Sequence, residues 1–306
     1  MSTTMETPQA VSKATPSHDY HATANVFTGD LKRPIVQRIE PQAAVSLEGR
    51  RGGLFNRSVQ DVSIEGLISF TRGQTRVSGA RSLKHQGWVT LATSVLEGFN
   101  AFETLTSDRM VSQLSTDHPY ENGHIPSVTF LGTNFGDLRV SGIPIPITLN
   151  LGFFGPKPAD DQSYLQERTF LTKVKEQTET IAHATGLPKE IKAQYIERLK
   201  SVEELIRIKD EVATISRPDI VCSLVKSIDI TKVDEGLGVQ AFGHVLVIPH
   251  FGSVALGEVV VGEKKYEGIE RPCVHFELRG MRIKLGCSGD GPGDGPTVAA
   301  NGRHYP

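Results

Sequence analysis

Two histidines six residues apart are the first candidates for chemistry in this sequence. His244 and His250 stand on either side of an apolar run in the segment GHVLVIPHFG. In a regular strand the two side chains lie on one face, as a pair of metal ligands would. Six residues at about 3.3 Å each put their Cα atoms roughly 20 Å apart, whereas zinc ligands lie about 2 Å from the ion. The spacing therefore predicts no shared metal, and we expect no metal centre.

His250 is the stronger functional candidate of that pair, because Pro249 and Gly252 predict an exposed turn at the strand end. His275 and Glu277 follow in CVHFELRGMRIKLGC, where their i, i+2 spacing places them on one face. An imidazole and a carboxylate in such positions suit general acid and base chemistry. We take His250, His275 and Glu277 as the candidate catalytic residues. The alternative is a structural or half-exposed imidazole for either histidine of the first pair, and a solvated strand face for the second.

The alternation of apolar and polar residues shifts by one position partway along CVHFELRGMRIKLGC. Apolar positions are even-numbered in its first half and odd-numbered in its second. A β-bulge at Arg279–Gly280 would return all of them to the core. His275 and Glu277 would then share a side with Arg282 and Lys284.

A probable loop, STDHPYENGH, concentrates further polar groups, namely Asp117, His118, Glu121 and His124. Such a loop supplies an acid and a base or binds a metal, or it is polar for solubility alone. The segment GDGPGD is a single glycine-aspartate unit interrupted by proline, so it predicts a flexible tail and no calcium repeat. No nucleotide-binding, hydrolase or zinc-protease motif occurs, and the sequence indicates no cofactor.

The composition limits the class of protein and its partners. The chain has 306 residues, of which 38% are hydrophobic and 22% charged, with a formal net charge of -2. These values are typical of a soluble globular protein with a substantial core. Without a basic excess we expect neither nucleic acid nor an anionic membrane as a partner. No apolar run suits a signal peptide or a membrane span, so we expect a cytoplasmic protein.

Three cysteines, Cys222, Cys273 and Cys287, are an odd number without close spacing. They predict buried thiols in place of a disulfide framework or a zinc site.

Five segments follow from the changes in pattern along the chain. Residues 1–50, rich in Ser, Thr, Pro and Ala, predict a flexible tail or an extended arm that orders on a neighbouring subunit. Residues 51–155 and 219–288 contain short β-type segments separated by turn residues, typical of one antiparallel body. Residues 156–218 predict a helical insertion, and residues 289–306 a Gly/Pro-rich tail.

The helical insertion has clear apolar spacings. Phe170, Val174 and Ile181 predict one helix, and Ile191, Tyr195 and Leu199 predict a second. SVEE at residues 201–204 has the capping-box form and predicts the start of a third. The insertion serves as a lid or a partner-binding hairpin, or it simply packs on the sheet.

Together these patterns predict an α+β fold, mainly antiparallel β, built as a barrel or a sandwich with a helical insertion. The favoured function is a β-rich binding or assembly protein, whose expected partners are further copies of the same chain or a small-molecule ligand. The alternative is a small-molecule enzyme of lyase, cyclase or isomerase type, with acid and base groups around a pocket in the β-body or between sheet and helices.

Overall fold

The computed structural model describes residues 17–31, 36–82, 86–121, 123–159, 162–208, 217–264, 273–286 and 291–305. In chain order the strands and helices are β1 (Ser17–Asn25), β2 (Thr28–Leu31), β3 (Gln37–Ile39), β4 (Val45–Gly49), β5 (Gly53–Ile64), β6 (Ile68–Ser82), β7 (Gly87–Ala101), β8 (Leu105–Pro119), β9 (Ser127–Thr129), β10 (Asn134–Val140), β11 (Ile143–Pro144), β12 (Ile147–Leu149), α1 (Arg168–Ala182), α2 (Lys189–Arg207), β13 (Ile220–Ser223), β14 (Val225–Ile228), β15 (Gln240–Phe242), β16 (Val245–Ile248), β17 (Gly252–Lys264), β18 (Cys273–Leu285), β19 (Gly291–Asp294) and β20 (Thr297–Tyr305). A short 3-10 turn, Glu235–Leu237, follows β14.

The strands form two large antiparallel sheets and one small one. A seven-stranded sheet runs β11-β10-β8-β7-β6-β5, with β9 beside β8. An eleven-stranded sheet runs β15-β16-β17-β18-β19-β2-β3, and β20, β1, β4 and β13 branch from it. Strands β12 and β14 pair separately. Because β1 and β20 lie against β7 and β8, the two large sheets pack face to face as in a sandwich. The predicted mainly antiparallel α+β fold is thus confirmed.

Long strands and tight turns build the seven-stranded sheet. Strands β6, β7 and β8 have 15 residues each, longer than the short segments that their glycines had suggested. Gly79 lies inside β6 because the ring of Tyr20 packs where a Cβ would stand. The turns Glu65–Gly66, Phe102–Glu103 and Ser141–Gly142 each have two residues of positive φ, the conformation that suits the twist of a two-residue hairpin.

The phase change predicted in β18 is present, although its geometry differs from a simple bulge. Leu256 pairs with Met281, and Glu258 pairs with Arg279, so the offset between β17 and β18 is the same on both sides. Gly257 and Gly280 lie between these two pairs and are not paired with each other, and Gly257 has a φ of +59°. Matched irregularities in both strands therefore switch the buried face without a shift of register.

Both predicted tails contain strands where the structure describes them. Strand β1 buries alternate residues, among them Ala22 and Ala24, and pairs with β4 and β20. Strand β19 lies between β18 and β2, where Gly29 allows the backbone at Pro292 to approach closely. The prediction of flexible tails is wrong for these strands, since small residues there serve close sheet packing. Residues 1–16, 289–290 and 306 lie outside the described residues.

Two helices, not three, make up the described part of the helical segment. Helix α1 buries Phe170, Val174 and Ile181 at the predicted spacing. Helix α2 runs without a break through the predicted third helix start, because the Ser201 hydroxyl donates a hydrogen bond to the Glu197 carbonyl of the preceding turn. Its buried side packs on β16 and β17. Neither helix is both long and apolar enough to cross a bilayer.

Candidate functional site

The structure does not bring the three predicted catalytic residues to one place. His250 is exposed in the turn between β16 and β17, with a φ of +63°. His275 Nε2 lies 3.9 Å from an Asp219 carboxylate oxygen, and burial lowers the pKa of this histidine despite the opposing effect of that carboxylate. Glu277 accepts a hydrogen bond from Arg279 Nε at 2.7 Å. His275 and Glu277 share a strand face, as predicted, but each has a different charged partner.

The polar segment predicted as a loop begins inside β8, which includes Asp117 and His118, and part of it joins a cluster of rings between the two large sheets. His118 is buried, and its Nδ1 lies 2.7 Å from the Gly123 carbonyl oxygen. The His18 ring lies 4.7 Å from the His118 ring and stacks on Trp88 at 5.2 Å. Tyr20 contacts His18, and Tyr120 contacts Trp88 edge to face. We call these five side chains, His18, Tyr20, Trp88, His118 and Tyr120, the ring cluster. Within the described residues no group of three or more potential metal ligands occurs.

A different set of residues meets where α2 covers the eleven-stranded sheet. Glu258 of β17 is fully buried. Arg198 of α2 donates to its Oε1 from Nη1 at 2.7 Å. Arg282 Nη2 lies 3.0 Å from Oε1 and 2.9 Å from Oε2, and it is aligned as a donor to Oε1. One carboxylate thus holds two guanidinium groups, which joins the helix to two strands.

Tyr195 and His244 complete this arrangement. The Tyr195 hydroxyl lies 2.7 Å from His244 Nε2 and donates to Glu258 Oε1 at 3.4 Å. His244 Nε2 is also 3.6 Å from Glu258, whereas its buried Nδ1 has no hydrogen-bond partner among the described residues. A lone pair is cheaper to leave unpaired than an N–H, so we assign the proton of the neutral ring to Nε2. We call Tyr195, Arg198, His244, Glu258 and Arg282 the ionic cluster.

The ionic cluster fixes the protonation of its members. Burial alone raises the pKa of Glu258, but the His244 hydrogen bond and the charges of Arg198 and Arg282 bring it well below its ordinary value. Burial lowers the pKa of His244, which keeps the ring neutral near pH 7. Burial and the Glu258 charge raise the pKa of Tyr195, so the phenol stays protonated. The cluster therefore carries two positive charges and one negative charge.

Beside the ionic cluster lies a cavity of about 200 Å³ between α2 and the sheet. We call it the helix–sheet cavity. Its lining residues come from α2, β16, β17, β18 and β19; they are Ile191, Gln194, Tyr195, Val245, Ser253, Ala255, Arg282, Ile283, Lys284 and Pro292. Tyr195 and Arg282 belong to both the cavity and the ionic cluster. The site therefore combines apolar walls with a rigid polar end, which is the usual make-up of a small-molecule site.

Sequence reasoning missed most of this site. His244 was considered as a residue near a strand end, Tyr195 only as an apolar helix position and Arg282 only as part of a strand face. One signal was available: Glu258 is the single charge within the apolar run VALGEVVVG. A charge in such a run is buried with partners or marks a site. Its partners are far away in sequence and could not be named from the run itself.

The two cysteines that the structure describes do not line the helix–sheet cavity. Cys222 and Cys273 are both buried, as predicted, and neither forms a disulfide among the described residues. Burial raises the pKa of the Cys222 thiol, which keeps it protonated. Cys287 lies outside the described residues.

Comparison with known proteins supplies a family and no activity. Residues 18–262 match a family described as a domain of unknown function, DUF8256. The chain belongs to this family. The part that matches DUF8256 includes Tyr195, Arg198, His244 and Glu258, whereas Arg282 lies beyond it. No curated protein and no solved structure matches the chain significantly.

Proposed function

We propose that this protein is a β-rich binding protein that holds a small molecule in the helix–sheet cavity. The observation that carries the proposal is the cavity of about 200 Å³, which adjoins a buried cluster of charged side chains. Such clusters are costly to bury and are found where their positions matter. In this chain the cluster holds α2 at a fixed place over the sheet and forms one end of the cavity.

The size of the cavity limits the ligand. Its volume equals the liquid volume of about six or seven water molecules. The site is therefore below the range of about 300–1,000 Å³ that is typical of drug-sized ligands. A compact molecule with a polar head and a short apolar body is the best match to the walls.

Binding is better supported than catalysis. The phenol of Tyr195 is held protonated and Glu258 already has two guanidinium partners, while His244, whose neutral ring has a lone pair at Nδ1, is not among the described residues that line the cavity. A general base needs a free lone pair facing the substrate and a pKa near the working pH. None of the residues predicted as catalytic is among the described residues that line the cavity. The acid–base enzyme hypothesis thus has less support than binding.

Two parts of the wider proposal depend on other observations. Assembly as a homo-oligomer was motivated by the N-terminal arm, and the first part of that arm, residues 1–16, lies outside the described residues. The cytoplasmic location likewise stays a prediction.

Native mass spectrometry of the purified full chain tests the proposal, together with thermal unfolding in the presence of a set of small molecules. We expect wild-type protein to bind a compact ligand and the variant Ala255→Phe, which fills the cavity, to lose it. Ala80 is exposed on β6, so Ala80→Phe makes the same change at a distance and should bind as wild type does. Equal binding by wild type and Ala255→Phe would contradict the proposal.

A further inference from the structure

The charged side chains of the helix–sheet cavity are all of one sign. Arg282 and Lys284 are separated by one residue on β18 and both line the cavity. Among the described residues that line it there is no aspartate or glutamate. The Gln194 amide and the Ser253 hydroxyl offer further hydrogen-bond donors, whereas the proton of the Tyr195 phenol is already donated to Glu258.

The buried carboxylate next to the cavity does not cancel this charge. Glu258 is fully buried and is contacted by Arg198 and Arg282 together. With Lys284, three cations stand against one anion at this end of the cavity. Including the neighbouring Glu277–Arg279 ion pair and Asp294, which stands opposite Arg282 in the backbone register of β18 and β19, the count is four cations against three anions. One positive charge remains in excess.

Gln194 adds to the donor character of the site. When its amide oxygen is turned toward the cluster, it accepts hydrogen bonds from Arg198 Nη2 at 3.0 Å and Arg282 Nη1 at 3.3 Å. The opposite orientation would place the amide N–H groups against two guanidinium groups, which are donors only. With the favourable orientation, the N–H groups of Gln194 are left for a ligand in the cavity that this residue lines.

We propose that the helix–sheet cavity is specific for a small monoanionic carboxylate. Its carboxylate is bound at Arg282 and Lys284, and its short apolar body lies against Ile191, Val245 and Ala255. The inference rests on the proposed function, since it names the ligand class of the same cavity. A single excess positive charge matches a single negative head, and the planar Arg guanidinium matches carboxylate geometry.

Three probes that differ only in their head group test the ligand class: hexanoate, hexanol and hexylamine. Binding of each to the full chain is measured by isothermal calorimetry at neutral pH and two salt concentrations. We expect hexanoate to bind at least tenfold more tightly than the other two, and raised salt to weaken only its binding. Ala255→Phe should abolish binding of every probe that wild type binds.

Lys284→Met separates charge from shape, because it keeps the length of an exposed side chain while it removes the ammonium group. We expect hexanoate to bind this variant about fivefold more weakly, the effect of one partly exposed ion pair. Hexanol binding should not change. Lys226 is exposed on β14 and does not line the cavity, so Lys226→Met removes the same charge elsewhere and should bind hexanoate as wild type does.

The outcomes separate the two proposals. Hexanol or hexylamine binding as tightly as hexanoate, and blocked by Ala255→Phe, would overturn the carboxylate preference and leave the binding cavity intact. Equal loss of hexanoate binding in Lys284→Met and Lys226→Met would also overturn it, since general electrostatics would then explain the effect. Failure of all three probes to bind wild-type protein would contradict both proposals.

Discussion

The ionic cluster and the ring cluster are both buried and both contain a histidine paired with a tyrosine, yet they are held together in different ways. In the ionic cluster Arg198 and Arg282 converge on the carboxylate of Glu258, and charge determines the geometry. In the ring cluster the His18 imidazole lies nearly parallel to the Trp88 indole, at an angle of 12°, and packing of flat rings determines the geometry. The first cluster joins a helix to a sheet, and the second joins two sheets.

This difference shows which buried polar group is a better guide to function. Rings at a sheet interface gain contact area and stacking energy, so fold stability is reason enough for them. Buried charges gain little net stability over apolar residues of similar size, so stability alone explains them poorly. The ionic cluster also borders the helix–sheet cavity. This contrast supports the proposal of a binding site beside the ionic cluster.

The strongest test of this contrast is a substitution that keeps shape and removes charge. Glu258→Gln leaves Arg198 and Arg282 buried without their counter-ion. We expect it to lower the free energy of unfolding by about 3–5 kcal/mol, the cost of breaking a buried ion pair from one side. Urea unfolding followed by circular dichroism measures the loss.

Glu277→Gln is the matched control for Glu258→Gln. Glu277 bonds Arg279 on the same face, but its side chain is 30% exposed, so water can replace part of the lost interaction. We expect a loss below about 1 kcal/mol. If both variants lose the same amount, burial of the cluster does not set its energetics, and the contrast fails.

In the ring cluster a substitution that keeps an aromatic ring should be tolerated better. Trp88→Phe removes part of the indole surface that packs between His18 and Tyr120. We expect a loss of about 1–2 kcal/mol, against about 3–5 kcal/mol for Trp88→Ala, because the cost follows the volume removed. The same urea titrations measure both values. A loss for Trp88→Phe as large as that for Trp88→Ala would show that a specific indole contact, and not ring packing, holds this cluster.

Features that depend on local periodicity were predictable from the sequence. Helix α1 follows the spacing of Phe170, Val174 and Ile181, and the phase change in β18 was visible in its alternation. The Ser201 capping-box pattern misled, because the hydroxyl that caps a helix can also bond the carbonyl four residues earlier within one. Composition misled for β1 and β19, because glycine and alanine serve close packing of strands as well as loops.

The ionic cluster depends on tertiary packing and lies beyond this kind of reasoning. Arg198 comes from α2, His244 from the turn before β16, and Arg282 from β18, so their meeting depends on where the helix docks. Each is unremarkable in its own segment. Only Glu258, alone in an apolar run, pointed to the site, and no periodicity states what partner a buried charge will have.

The smallest expected effect concerns the pH dependence of stability that His244 provides. In the folded protein His244 contacts Tyr195 and Glu258, and burial keeps its ring neutral. The positive charges of Arg198 and Arg282 also lower its pKa. Because the pKa of His244 is lowered by folding, the unfolded chain takes up its proton first, and stability falls as the pH drops below about 6.5. The pKa of Glu258 is also lowered, but the stability it provides is lost only below about pH 4.5, where the unfolded carboxylate protonates.

Lowering the pH from 7 to 5.5 should therefore reduce the free energy of unfolding of the wild-type protein. We expect this reduction to be about 1 kcal/mol smaller in His244→Gln. Urea unfolding at the two pH values measures the change; a dependence on pH in His244→Gln equal to that of wild type would mean that burial under α2 does not control the His244 proton.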